Sequence, residues 1–207
     1  VDNTQPAAGS STSDVLPLFG DFFVHGGLYR PVRLIFTAPL HVDMKDFGGP
    51  GVYANTLAVD GGDARLHVRV RLANDGAKPV AAGARISLID REGKTAAQTV
   101  VKQTLGAGAT QELAGDLLVA GAHLWQGTAD PYLYTLRTEV IGGEGKVSDT
   151  VEQNFGIRTM RFDADKGLFL NGKPYVLHGV GYHQDRDGKG WAISPADIEE
   201  DVATMRE

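Results

Sequence analysis

The chain has 207 residues, of which 42% are apolar and 22% are charged, so it is long enough for one or two globular domains. Its formal net charge is −6 and its Lys and Arg residues form no basic stripe, which argues against nucleic acid and a membrane surface as partners. The absence of cysteine excludes a disulfide framework and a thiolate metal site.

The first residues carry no targeting signal. Residues 1–5 lack the basic start and the apolar run of a signal peptide, and no apolar run approaches the roughly 20 residues that span a bilayer. Because there is no initiator Met, we interpret the sequence as a segment of a longer protein, on which a signal would not be visible. We expect a soluble protein whose compartment stays open among periplasm, exterior and cytoplasm.

Short strands separated by turns fill the chain up to residue 160. In residues 66–72, apolar and polar residues alternate, which predicts a half-buried strand. Residues 57–160 hold roughly seven such strands and predict an immunoglobulin-like β-sandwich without a disulfide. The other strands that the pattern predicts are 84–89, 94–104 and the hairpin of 132–141 with 146–155.

Segments of a different character flank this sandwich. Residues 21–36 are apolar and rich in aromatic side chains, and they predict one or two strands. Such strands are too few to form a core alone, so residues 1–56 are interpreted as the C-terminal remnant of a larger β domain. Residues 166–174 predict a strand with an Asn-Gly turn, and residues 175–181 predict a strand buried on both faces of a parallel sheet.

A helix is predicted at the C-terminal end. Ser194 suits the N-cap, Pro195 suits the first helical position, and Ile198, Val202 and Met205 form one apolar stripe. With the strand before it, this helix predicts the first βα unit of an α/β fold in residues 161–207. Without further elements, we expect the apolar stripe to be mobile or covered by a neighbouring molecule.

Three groups of motifs carry a family resemblance. Residues 21–32 end in Gly26-Gly27-Leu28-Tyr29-Arg30-Pro31-Val32, and Leu124-Trp125 precedes Pro131-Tyr132-Leu133-Tyr134. Phe155-Gly156-Ile157-Arg158, Leu170-Asn171-Gly172-Lys173-Pro174, His178-Gly179-Val180 and His183-Gln184-Asp185 follow in that order. In order and spacing, the set resembles glycoside hydrolase family 2, and its β-galactosidases best. One departure is Gly181-Tyr182, where the family commonly has Asn-Arg before the histidine.

The resemblance implies a parent protein with a jelly-roll domain, an immunoglobulin-like domain and a (β/α)8 barrel. This mainly β chain would contain the end of the first (residues 1–56), the whole second (57–160) and the truncated start of the third (161–207). The implied activity is retaining hydrolysis of terminal β-galactosides in carbohydrate metabolism. β-Glucuronidase of the same family and a non-catalytic immunoglobulin-like binding or structural module stay open as alternatives.

No catalytic residue is expected in this chain. A retaining glycosidase needs two carboxyl groups about 5–5.5 Å apart, and in the family these are glutamates on later barrel strands. Glu199 and Glu200 are a poor substitute, because neighbours on a helix point about 100° apart, and we interpret them as a solvated helix start. The chain alone is therefore expected to be inactive.

Three residues are candidates for substrate binding. His183 follows the first predicted barrel strand, where barrel active sites form, and it resembles the family's histidine that hydrogen-bonds a galactose hydroxyl. Asp185 is a candidate for orienting His183 or holding its loop; the alternative is that it only forms a turn. Asp21 resembles the family's aspartate that contacts the sugar and, in some members, a sodium ion; the alternative is that it only caps a turn.

The expected partner of the parent protein is a β-galactoside, and a homo-oligomeric parent stays open. No cofactor is established, and Na+ or Mg2+ in the full-length enzyme is an open alternative, with Asp21 the candidate ligand for sodium. The six histidines show no metal-ligand spacing. Trp125, Tyr132 and Tyr134 are interpreted as core residues rather than a sugar-stacking platform, and Arg30 and Arg158 as interface or backbone-pairing residues.

Overall fold

The computed structural model describes residues 7–10, 26–143 and 145–206, so Asp21 lies outside the described residues. Two compact units divide the chain: the larger comprises Phe36–Leu177, and the smaller combines Val1–Ile35 with His178–Glu207. Among the described residues, no helix is long and apolar enough to cross a membrane.

The regular secondary structure of the larger unit consists of β-strands among the described residues. They are β1 Leu40–Val42, β2 Val52–Asp60, β3 Asp63–Asn74, β4 Val80–Ile89, β5 Thr95–Leu105, β6 Thr110–Val119, β7 Tyr134–Ile141, β8 Val147–Phe155, β9 Met160–Asp163, β10 Gly167–Leu170 and β11 Lys173–Pro174. The helix α1, Pro195–Arg206, belongs to the smaller unit.

Two antiparallel sheets form the predicted immunoglobulin-like sandwich. In the first sheet, β3 is central and pairs with β1, β2 and β6. In the second sheet, the strand order is β5-β4-β7-β8. The predicted hairpin is β7–β8, and its turn is closed by a hydrogen bond from Gly145 N to Gly142 O of 2.9 Å.

The core lies between these sheets and follows the alternation of the sequence. Leu66, Val68, Val70 and Leu72 of β3 are all fully buried, as the period of two predicts. They join a cluster with buried residues of the second sheet, among them Ile86, Leu88, Leu136 and Val140. Burying one such side chain contributes about 1.5–3 kcal/mol, so this cluster is the main source of the sandwich's stability.

The sandwich begins before residue 57. Residue 57 lies inside β2, which starts at Val52, and β1 pairs with β3 through Leu40 to Val42. A bulge between Thr56 and Ala58 shifts the β2–β3 register and leaves Leu57 half exposed.

The small sheet of β9, β10 and β11 contains the predicted turn. Asn171 and Gly172 join β10 to β11, and both have positive φ, 49° and 78°. Asn and Gly tolerate this left-handed conformation, which explains their place in the turn. The Asn171 side chain also accepts a hydrogen bond from Thr159 N and donates one to Trp125 O, each of 2.9 Å.

Two predicted strands are wrong within the described residues. Residues 26–36 form no strand, and their Val32, Leu34 and Ile35 are exposed. Residues 175–181 also form no strand, and Val176, Leu177 and Val180 are each about two-thirds exposed or more. A strand needs hydrogen-bonding neighbours, and a strand buried on both faces needs covering layers; the described residues supply neither here.

The predicted helix is confirmed as α1, which begins at Pro195. Ser194 is its N-cap, because its Oγ accepts a hydrogen bond from Asp197 N at 3.2 Å. Asp197 Oδ2 accepts one in return from Ser194 N at 2.8 Å, which completes a capping box with Asp in the usual Glu position. Val202 and Met205 of the predicted apolar stripe are exposed.

Candidate functional site

The candidate site is the loop of the smaller unit that precedes α1. It carries His183, Gln184 and Asp185, all of them exposed. Within the described residues, the side chains of His183 and Asp185 have no hydrogen-bond partner, which leaves both free to contact a ligand.

Side chains on either side of His183 and Asp185 are tied to other segments. Tyr182 Oη donates to Asp201 Oδ2 at 2.6 Å. Arg186 Nη1 donates to Asp197 Oδ1 at 2.8 Å. The loop is therefore bound to α1 on both sides of the exposed pair.

A third contact reaches Gln184 from a distant part of the chain. Arg30 Nη2 donates to Gln184 Oε1 at 2.8 Å, across a separation of 154 residues. Tyr29 packs edge-on against Trp191, with ring centroids 5.4 Å apart. These contacts give residues 26–35 a role in holding the loop, which the sequence motif did not indicate.

Asp197 is the centre of this network. It is 7% exposed and accepts hydrogen bonds from Lys189 Nζ at 2.6 Å and Ser194 Oγ at 2.7 Å, besides those from Arg186 and Ser194 N. The bond from Lys189, followed by those from Ser194, holds the pKa of Asp197 far below its usual range. Asp197 is therefore a carboxylate at any working pH and serves to hold the loop.

The hydrogen bonds of Arg186 and Tyr182 to α1 also depend on charge. Arg186 Nη2 donates to Glu200 Oε2 at 2.7 Å, and this bond is the main cause that raises the pKa of Arg186. The bond to Asp201 raises the pKa of Tyr182, so the Tyr182 hydroxyl stays protonated and remains a donor. These hydrogen bonds are strong, because they are short and each involves an ionised donor or acceptor.

The structure places two of the three predicted binding residues on one loop. His183 and Asp185 are two residues apart, but no hydrogen bond joins them within the described residues, so the orienting role of Asp185 stays a prediction. Asp21 falls on a segment that the structure does not describe. In the part of the chain that it does describe, no three His, Asp or Glu residues gather to hold a metal ion.

The adjacent glutamates lie near the start of α1. Glu199 and Glu200 are exposed on α1, and Glu200 is engaged by Arg186. This agrees with the expectation of a solvated helix start.

The aromatic cluster of the larger unit has a structural role, as predicted. Tyr132 and Tyr134 are 8% and 4% exposed and belong to the core cluster. The Arg158 guanidinium lies 5.0 Å from the ring centroid of half-buried Trp125, and Trp125 N donates to Ile157 O at 2.9 Å. These side chains close one end of the sandwich.

The residues that hold the loop could not be identified from the sequence motif: they are Tyr182, Arg186, Lys189 and Asp197. One signal was present, because a serine three residues before an acidic residue at a helix start indicates a capping box. For the Arg30–Gln184 contact there was no signal, since the two residues are far apart in sequence.

Comparison with known proteins identifies the family. Residues 51–158 match glycosyl hydrolases family 2, and residues 163–207 match the TIM barrel domain of the same family. A β-glucuronidase of Bacteroides fragilis is 38% identical over 94% of this chain and 28% of its own length. A β-galactosidase of Bacteroides ovatus is 35% identical over 87% of this chain and 20% of its own length.

A solved structure agrees with this assignment. The crystal structure of a Bacteroides fragilis protein proposed to be a β-galactosidase superposes with a TM-score of 0.83 at 36% identity. That match covers 89% of this chain and 27% of the other. The chain therefore belongs to glycoside hydrolase family 2, as an immunoglobulin-like domain followed by the start of the barrel domain. It spans about a quarter of the length of the relatives it matches.

Proposed function

We propose that this chain is part of a retaining glycoside hydrolase that cleaves terminal β-galactosides. The observation that carries the proposal is the loop before α1, which holds His183 and Asp185 exposed between tied residues in a chain of this family. The chain's own contribution is sugar binding, since the catalytic carboxyl groups are expected on barrel strands beyond residue 207.

The chemistry of the loop suits a sugar hydroxyl. A neutral imidazole has one donor and one acceptor nitrogen, so His183 can bind a hydroxyl in either sense. The Asp185 carboxylate adds acceptors beside it. Asp21 remains a proposed third contact, to the sugar or to a sodium ion.

The cations near His183 fit a neutral or an acidic sugar. Arg186 and Lys189 are both engaged by carboxylates of α1. Arg30, which reaches the loop at Gln184, pairs with no carboxylate among the described residues and is available to bind the carboxylate of a glucuronide. The β-galactoside is the first candidate because the motif around His183 resembles the β-galactosidases of the family best.

A β-glucuronide is the second candidate substrate. The 38% identity to a Bacteroides fragilis β-glucuronidase favours it, and its carboxylate could be bound by residues outside this chain. The non-catalytic binding module is less well supported, because residues 163–207 match the barrel domain, which a free sandwich does not need.

The test uses the complete product of the gene. We expect it to hydrolyse 4-nitrophenyl β-D-galactoside with a higher kcat/KM than 4-nitrophenyl β-D-glucuronide, and the 207-residue chain to hydrolyse neither. His183→Ala in the complete enzyme should lower kcat/KM about 10- to 100-fold, the value of a hydrogen bond to a charged or polarised group. His67→Ala on the sandwich surface is the matched control.

Three outcomes would count against the proposal. Faster hydrolysis of the glucuronide would replace the first candidate by the second. A complete gene product with no hydrolase activity would favour the binding module. Turnover by the 207-residue chain would mean that the catalytic groups have been placed wrongly.

A further inference from the structure

In the loop from Tyr182 to Arg186, the side chain of every second residue is hydrogen-bonded to another segment, and the side chains between them have no such bond to any described residue. Tyr182 is bound to Asp201, Gln184 to Arg30 and Arg186 to Asp197, at 2.6, 2.8 and 2.8 Å. His183 and Asp185 occupy the two positions between the tied residues.

This alternation fixes the backbone of the exposed pair. Consecutive Cα atoms are about 3.8 Å apart. His183 and Asp185 therefore each lie, at that distance, between two residues whose side chains are hydrogen-bonded. The loop thereby restricts where their side chains start without using any of their polar atoms. Fixing a binding group in this way lowers the entropic cost of binding, because less freedom is lost when the ligand binds.

The ties reach the loop from two separate segments. Asp197 and Asp201 lie four residues apart on α1, and therefore on one face of the helix. Arg30 comes from residues 26–35, far away in the sequence. A loop that is tied to two separate segments resists movement better than one tied to a single segment.

The partners are themselves held in place. Asp197 is part of the capping box at the start of α1 and is also bound by Lys189. Arg30 lies 5.8 Å from the ring centroid of Tyr29, which packs against Trp191. The anchors are therefore more rigid than freely exposed side chains.

From this geometry we propose that Tyr182, Gln184 and Arg186, through Asp201, Arg30 and Asp197, are positioning residues that fix His183 and Asp185 for sugar binding. The inference rests on the proposed function, because its purpose is substrate recognition by His183. The three tied residues need not contact the sugar.

A double-mutant cycle in the complete enzyme tests this role. Tyr182→Phe removes one hydroxyl and should lower kcat/KM for the β-galactoside about 10-fold, since small displacements of a binding group are costly. In the His183→Ala background, the same change should lower it by no more than about 2-fold. Equal losses in both backgrounds would refute positioning, because they would show that Tyr182 acts independently of His183.

A conservative replacement of Gln184 gives a second test. Gln184→Leu removes the acceptor for Arg30 and should lower kcat/KM about as much as Tyr182→Phe does. Gln184→Glu keeps an acceptor oxygen and should retain most of the activity. Equal losses for the leucine and glutamate variants would contradict the role of the Arg30 contact.

The matched control is Tyr53→Phe in the sandwich. Tyr53 Oη donates to Asp46 Oδ2 at 2.6 Å, the same bond at the same distance as in Tyr182–Asp201. Its loss should leave kcat/KM unchanged. A loss of activity as large as that of Tyr182→Phe would assign the effect to general destabilisation and overturn the inference.

Amide hydrogen exchange separates this inference from the proposed function. Tyr182→Phe and Gln184→Leu should speed exchange of the Arg186 amide, which is hydrogen-bonded to Gly190 O at 3.1 Å beside the exposed pair, about 10-fold or more, with no change in the sandwich core. Unchanged exchange in both variants would refute the anchoring whatever the activity. Absence of hydrolysis by the wild-type enzyme, with faster exchange in the variants, would refute only the proposed function.

Discussion

The pair of Asp43 and Arg71 allows a stability prediction that can be worked out from its geometry. Asp43 directly follows β1, and its side chain is 3% exposed, whereas that of Arg71 on β3 is 33% exposed. Arg71 donates to Asp43 Oδ2 from Nη2 at 3.0 Å and from Nε at 3.2 Å, and Lys45 N donates to Oδ1 at 2.9 Å. The pair therefore joins β1 and its following loop to the central strand.

The substitution Asp43→Asn removes the charge and keeps the shape. Breaking a fully buried ion pair costs about 3–5 kcal/mol. Because Arg71 is one-third exposed and the amide oxygen can still accept from Lys45 N, we expect a loss of about 2 kcal/mol at pH 7. With a denaturant slope of about 2 kcal/mol per molar urea, the unfolding midpoint should fall by about 1 M.

The loss should also depend on pH in a defined direction. Burial raises the pKa of Asp43, but hydrogen bonds from Lys45 N and Arg71 and the charge of Arg71 outweigh it, so the pKa lies below its ordinary value. A carboxyl group with a lowered pKa stabilises the fold above its unfolded pKa, about 3.9, and loses this contribution as pH falls through the folded value. Wild type and variant should therefore differ above pH 5 and converge below pH 4.

The assay is urea unfolding followed by circular dichroism at several pH values between 3 and 7. Glu152→Gln is the control, since Glu152 pairs with Arg137 at the surface and both side chains are nearly half exposed. Such pairs contribute little, so this variant should stay close to wild type. A difference between wild type and Asp43→Asn that is the same at pH 3 and pH 7 would refute the reasoning.

Two further substitutions test local packing and capping. Gly156→Ala would place a Cβ 2.9 Å from Trp125 Cβ and 3.3 Å from Leu133 Cδ2, so urea unfolding should show that the free energy of unfolding falls by about 1–3 kcal/mol. The control is Gly106→Ala, whose added Cβ would have its closest atom at 3.7 Å. Equal effects of the two substitutions would contradict the packing argument. Ser194→Ala removes the N-cap and should destabilise α1 by about 1 kcal/mol, seen as faster amide exchange in its first turn; unchanged exchange there would contradict the capping role.

Most of the sandwich could be predicted because its signals are local. In β3, each apolar residue is two positions from the next, and this spacing alone predicts which side chains are buried. The Asn171-Gly172 turn and the Ser194-Pro195 helix start were equally readable, because each depends on the backbone preferences of two neighbouring residues.

The wrong predictions concern segments whose structure depends on neighbours. Residues 175–181 have the composition of a strand buried on both faces, but composition cannot show whether other strands lie beside them. The strand β1 was not predicted, because three residues are too few to show a period. Its place is fixed by pairing with β3, some 30 residues further along.

The candidate site divides in the same way. His183 and Asp185 were proposed as binding residues from their motif, whereas the residues that hold their loop gave no such signal, because hydrogen bonds such as Arg30–Gln184 join distant positions. From sequence alone, polar side chains on a loop are interpreted as solvent-exposed, because their hydrogen-bond partners are not known. A family motif therefore gives a candidate binding residue, and the structure adds which contacts hold its loop.

The protonation of the network also limits what this part of the enzyme can do. A general acid needs a pKa near the working pH, and that of Asp197 is held far below it by Lys189 and Ser194. Glu200 and Asp201 are engaged by Arg186 and Tyr182. Because these three acids serve to hold the loop, none of them is proposed as the proton donor to the glycosidic oxygen, and the role proposed for the loop before α1 is recognition of the sugar.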